Sequence, residues 1–219
     1  MNRAPSSTKE RLLRAAERLF ALHGIDAVSM RSIGSEAGQR NNTALQYHFG
    51  DKQKLVEAIL ADRMGSLNEL RRAMLQQIRS DGCEGDLHRL VAALVTPFTD
   101  QLRDEAGGRH YVRFTAQLFS GGNAVELLTD RRPWTEAFRA IVDLIRACLD
   151  DVPEDVMAGR LALMASQLVH ATAAKDYELS DSDPRQRSTS VERFTRDLVD
   201  YVVGGLTAPV SPESKRLAS

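Results

Sequence analysis

The 219-residue chain predicts an all-α fold of about nine helices. Three observations lead there. Almost every apolar pattern repeats with the 3.6-residue period of a helix. Short breaks rich in Gly, Pro and Asp separate the patterns. No stretch alternates convincingly as a strand, and no internal repeat is visible. Hydrophobic residues make up 42% of the chain, the share of a globular protein with a sizeable core.

The helices are justified in turn. Ser7, three residues before Glu10, opens the first as a capping box. Leu12, Ala15, Ala16, Leu19 and Phe20 form its apolar face, and Gly24 ends it. Ser29 caps a short second helix with Ile33 and Ala37 on one face, stopped by Gly38. Asn41 or Asn42 caps a short third helix that turns Leu45 and Phe49 inward. Gly50 breaks it, and Asp51 caps a long fourth helix to about Arg79, roughly 42 Å at 1.5 Å per residue. A fifth is expected from about Asp86 to Glu105 with a kink at Pro97, and a sixth from about Arg109 to Phe119. The short piece "NAVELL" leads to a seventh, from about Pro133 to Leu149. Pro153 sits near the first turn of a long eighth, to about Glu178. "LSDSDPRQRS" reads as a polar loop before a ninth, from about Ser190 to Leu206. The division expected is an N-terminal module at 1–50, extended by the start of helix four to about 56, then a helical body at 51–207 and a disordered tail at 208–219.

Net charge is −1, but its distribution is uneven. Residues 1–54 hold nine Lys/Arg and five Asp/Glu, a balance of +4, and the remainder carries −5. A basic module on an acidic body suits a protein that meets DNA at one end. No apolar run reaches the ~18 residues of a membrane span, and the polar start "MNRAPSSTKE" lacks the apolar stretch of a signal peptide, so a cytoplasmic protein without a membrane partner is expected. Cys83 and Cys148 match no metal or redox spacing and read as buried or incidental thiols. The histidines show no mutual ligand spacing, so no metal, cofactor or catalytic residue is expected.

The second and third helices, joined through a Gly-containing turn, form a helix-turn-helix pattern, whose second helix enters the major groove. Between Arg40 and Gln46 stand Arg40, Asn41, Asn42, Thr43 and Gln46. Asn and Gln pair a donor and an acceptor with adenine, and Arg does so with guanine. Tyr47, His48 and Lys52 suit phosphates, and Lys52 sits beside a helix N-terminus.

"ERLLRAAERLFALHGIDAVSMRSIGSEAG" followed by "LQYHFGDKQKLVEAI" resembles the DNA-binding domain of TetR-type transcriptional regulators. The shared features are Leu-Phe-x-x-x-Gly, Arg-x-Ile-Gly, Ala-Gly at the turn, and Tyr-His-Phe-x-x-Lys, over residues 9–60. The resemblance implies a homodimeric regulator, expected to be a repressor. It would bind a palindromic operator on double-stranded DNA and be released by a small-molecule effector. It places Ser29, Tyr47, His48 and Lys52 on the DNA backbone and Thr43 and Gln46 toward bases, with Arg31 beside them. The turn "QRNN" is one residue longer than usual, Gln46 stands where tyrosine is frequent, and Gly34 where alanine is frequent.

In the body, Phe98, Tyr111, Phe114, Phe119 and Trp134 lie on or near the central helices and are candidates to line an effector pocket, with Gln117 as a polar contact. The last two helices carry apolar stripes wider than one core needs. Leu161, Leu168, Val169, Leu198 and Val202 are assigned from them to a dimer interface, as the resemblance implies. Two other readings compete: an interaction adaptor that keeps the fold without DNA binding, and an all-α enzyme using the body's pocket. The amide-rich third helix argues against the first. The lack of any nucleophile, zinc or phosphate-binding motif argues against the second.

Overall fold

The computed structural model describes residues 7–39, 43–104, 107–120 and 132–213. Nine α-helices and two 3-10 segments occur among them, and no strand. They are α1 (Thr8–His23), α2 (Met30–Glu36), α3 (Thr43–Phe49), α4 (Lys52–Ser80), α5 (Leu87–Thr99), α6 (Gly108–Ser120), α7 (Glu136–Cys148), α8 (Glu154–Glu178) and α9 (Pro184–Thr207). The expected all-α class holds. "NAVELL" and residues 40–42 lie outside the described residues.

Local chemistry sets most boundaries. Ser7 accepts from the Glu10 N–H at 3.2 Å, and the Gly24 N–H closes α1 on the Phe20 carbonyl. Asp51 accepts from the Lys54 N–H at 2.8 Å to start α4, and Asp86 from the Arg89 N–H at 3.1 Å to start α5.

Three boundaries differ from expectation. α5 stops at Thr99 and the chain tightens into a 3-10 segment, Asp100–Arg103. Pro97 offers no N–H to the preceding turn, which ends the regular ladder two residues later. α7 begins at Glu136 rather than Pro133, after a 3-10 segment over Pro133–Thr135. α9 begins at Pro184, inside the stretch read as a loop. Asp183 accepts from the Arg185 and Gln186 N–H groups at 2.8 and 3.2 Å, and Pro184 occupies the position where a missing N–H costs nothing. Of the expected tail, residues 208–213 are described, and the Ala208 carbonyl accepts from Arg160.

The core runs continuously from the N-terminal module into the body. α1 lies chiefly on α6, where Phe20 stacks on Phe114 with centroids 6.1 Å apart. α9 lies chiefly on α5, and α8 on α6. Gly108 permits the tight entry to α6, since a Cβ there would fall 2.4 Å from the Gln101 carbonyl oxygen. No helix among the described residues is long and apolar enough to cross a membrane.

Candidate nucleic-acid interface and body cavity

Ser29 caps α2 through a reciprocal pair: its hydroxyl accepts from the Ser32 N–H at 3.0 Å, and Ser32 Oγ accepts from the Ser29 N–H at 3.2 Å. At the other end Gly38 adopts φ +73°. The Gln39 N–H bonds the Gly34 carbonyl at 2.8 Å, and the Gly38 N–H bonds Ser35 at 3.1 Å. This Schellman turn demands a left-handed residue, which explains the glycine. Ile33, Leu45 and Phe49 are buried and fasten α2 and α3 to the module core.

With Leu45 and Phe49 inward, Gln46, Tyr47 and His48 face solvent. Tyr47 is 83% exposed, and its ring meets only the His48 edge, 5.2 Å between centroids, among the ring pairs described. Ser29 and Arg31 are exposed on the same module. Arg40, Asn41 and Asn42 lie outside the described residues. Thr43 is the first residue of α3. Lys52 is half-buried, and its ammonium donates to the Ile25 and Asp26 carbonyls at 3.0 and 3.3 Å, tying down the α1–α2 loop. An ammonium has three donors, so one remains.

The body holds a cavity of about 70 Å³ where α4, α5, α6, α7 and α8 meet. Of the predicted pocket residues, Phe98, Tyr111 and Phe119 line it. Phe114, Gln117 and Trp134 do not. Phe114 turns the other way onto Phe20, Gln117 faces the groove beside Gly24, and Trp134 lies beneath Arg132, 5.3 Å from the ring centroid. Met64, Leu67 and Arg71 of α4 also line the cavity. Burial lifts the Tyr111 hydroxyl to a pKa of about 12, so it stays protonated. Among the described residues no group of three or more His, Cys, Asp or Glu converges to hold a metal ion.

Between cavity and module sits a buried carboxylate that sequence reading missed. Glu17 of α1 is 1% exposed. It accepts from Arg63 Nε and Nη2 of α4 at 2.8 and 2.7 Å and from Arg14 Nη1 at 3.0 Å. The Arg63 guanidinium also lies over the Tyr111 ring at 5.7 Å. Burial opposes its charge, yet the bonds to Glu17 raise its pKa. A readable signal existed: Glu17 falls four after Leu13 and three before Phe20, on the apolar face of α1. α4 is therefore joined to the module by an ion pair as well as by the chain, and α1 on α6 makes a second joint.

The residues assigned to a dimer interface pack within the single chain. Leu161, Leu168, Val169, Leu198 and Val202 are all at most 7% exposed within the single chain. Leu168 and Val169 line the cavity. The large apolar residues these two helices expose are Leu163, Tyr177 and Tyr201, and Leu163 and Tyr201 share one groove with Gln167, Gly205 and the assigned Val202.

Residues 92–205, just over half the chain, match the family model described as the C-terminal domain of tetracyclin-repressor-like proteins, and residues 12–59 match that of the bacterial regulatory proteins of the tetR family. The chain belongs to the TetR family. Like other TetR-family members it is a DNA-binding transcriptional regulator. It is similar to the HTH-type transcriptional repressor AcnR of Corynebacterium efficiens, 35% identical over 65 residues, covering 30% of this chain and 34% of that protein. It is also 36% identical over 58 residues to the HTH-type transcriptional repressor KstR2 of Mycolicibacterium smegmatis, covering 26% of this chain and 28% of the other. The matches thus span about a third of these curated relatives. A TetR-like transcriptional regulator from Rhodococcus sp. RHA1 shares the fold at 16% identity, with a TM-score of 0.53 over 94% of this chain and 100% of the other.

Proposed function

We infer that this TetR-family chain is a repressor that binds a palindromic operator as a homodimer and lets go when a small molecule occupies the body cavity. The observation that carries the reading is the outward row Gln46, Tyr47 and His48 on α3, held by the Schellman turn on a basic module. In this reading Thr43 and Gln46 meet base edges, with Arg40, Asn41 and Asn42 at the entry to the same helix. Ser29, Arg31, Tyr47 and His48 meet phosphates, and Lys52 contributes its remaining donor there. Functional division follows the same line: residues 1–50 face DNA and 51–207 respond and pair. The groove of Leu163 and Tyr201 on α8 and α9 supplies the two-fold contact.

Release works through α4. One helix carries Leu55 into the module core, Arg63 to Glu17, and Met64, Leu67 and Arg71 to the cavity. An occupant that displaces Tyr111 or Met64 moves the neighbour of Arg63, and through Glu17 it tilts α1 against α4. Selection of bound sequences from random duplex DNA tests the reading. It should enrich a palindrome whose half-sites lie about 34 Å apart, or a multiple of that. Enrichment of an asymmetric site, or none, would overturn it.

A further inference from the structure

Glu17, Arg71 and Asp176 are the most deeply buried charged side chains among the described residues, each at most 3% exposed. Two of them are neutralised by partners. Glu17 holds Arg63 and Arg14, and Asp176 pairs with Arg109 and Arg113 of α6. Arg71 differs. Its Nη2 donates to the Leu94 carbonyl at 3.3 Å, and Nε and Nη1 have no acceptor among the described residues. Its guanidinium lies 5.3 Å from the centroid of the Phe138 ring. Burial lowers its pKa to about 10, which leaves it cationic at neutral pH.

A buried cation with one long bond to a carbonyl and no paired carboxylate is costly, and native proteins seldom keep one without a use. This one lines the cavity, whose other walls among the described residues are apolar apart from Tyr111 and Thr115. The Thr115 hydroxyl is already engaged, donating to the Tyr111 carbonyl at 2.8 Å. The site therefore offers one positive charge with open N–H groups and an aliphatic and aromatic wall. A planar guanidinium matches a carboxylate, and such bonds strengthen away from water. A phosphate monoester would bring a second negative charge, and among the described residues no other cation lines the cavity. About 70 Å³ is several times the roughly 10–15 Å³ that one water needs, room for a compact body.

We propose that Arg71 anchors the carboxylate of a small apolar monocarboxylate, short-chain or monocyclic, whose body fills the cavity. The assignment rests on reading that cavity as the effector site. Sequence shows the position once it is sought: Leu60, Met64, Leu67 and Arg71 follow the spacing of one helix face, and only the last is charged.

The test uses the full chain and four probes, hexanoate, octanoate, benzoate and phenylacetate, each measured by calorimetry against its primary amide. At least one carboxylate should bind ten-fold or more tightly than its amide. Arg71→Met should abolish that preference while the unfolding midpoint of the ligand-free protein stays level or rises, since an apolar side chain suits the site without a ligand. Arg71→Lys keeps charge without the fork, and serves if the methionine variant fails to fold; it should retain a reduced preference. Carboxylates binding no better than their amides, or a preference undiminished in both variants, would overturn the proposal. Operator affinity measured in parallel separates the two readings. An amide that binds as well as its acid and releases DNA keeps the effector role and removes the carboxylate. A carboxylate bound through Arg71 that leaves DNA affinity unchanged keeps this assignment and removes the effector role.

Discussion

Arg63 and Arg71 stand eight residues apart on α4, two turns along one helix, and their surroundings differ sharply. Arg63 gives two bonds to the Glu17 carboxylate, and that carboxylate takes a third from Arg14. Arg71 is more deeply buried and has a single long bond to a carbonyl. The first end is tied to the DNA module with no ligand present. The second gains its best electrostatic partner only when something enters the cavity. One rigid helix thus has a fixed end and a responsive end, which is what a device linking a cavity to a DNA contact requires.

Breaking the fixed end should have the largest effect. Glu17→Ala strands the Arg63 guanidinium and should cost about 3–5 kcal/mol of stability in denaturant unfolding. A loss under 1 kcal/mol would mean the pair is replaceable by water. Next, the packing of α9 predicts a split between two neighbours. Leu198→Ala should cost about 2–5 kcal/mol of stability, as a cavity in the core does. Tyr201→Ala should leave folding nearly intact and weaken self-association, measured by sedimentation. If Leu198→Ala instead weakens pairing without loss of stability, the core assignment fails.

The sequence made the module easier to read than the body, and the reason is physical. Ser29, Gly38, Gly50 and Asp51 act through bonds to residues two to five positions away, so their meaning survives in a linear string. The inward Leu45 and Phe49 and the outward Gln46 follow from the same short register. In the body, burial depends on helices far apart in sequence. Leu168 and Val169 look like a spare apolar stripe until α8 is seen closing the cavity. Asp183-Pro184 reads equally as a turn or a helix start until the cap bonds are drawn. Glu17 and Arg71 were hidden because a charge on a helix is usually solvated, although both sit in register with apolar neighbours.

Smaller effects sharpen the contrast further. Gln46→Ala lies beyond both ends of the comparison. It should cost about 1–3 kcal/mol on the preferred DNA site, relax choice at one base position, and leave stability unchanged. Equal losses on random DNA would remove it as a base reader. Arg71→Met should change stability by less than about 1 kcal/mol or raise it, opposite in sign to Glu17→Ala. His110, half-buried on α6 near Glu17 and Asp176, has its pKa lowered by burial. The unfolded chain then takes up the proton more readily, so stability should decline as pH falls through about 6.5 toward the lower folded value. His110→Gln should flatten that decline in unfolding scans at several pH values.

The central claim is that cavity and DNA surface share one equilibrium through α4. It is tested most directly by the affinity of the tightest-binding carboxylate for the protein, free and saturated with its selected operator. Linkage requires that operator weaken the ligand by the factor by which the ligand weakens operator, about 5- to 150-fold for a coupling of about 1–3 kcal/mol. The account predicts such a loss, equal in both directions. Identical ligand affinities with and without operator would contradict it.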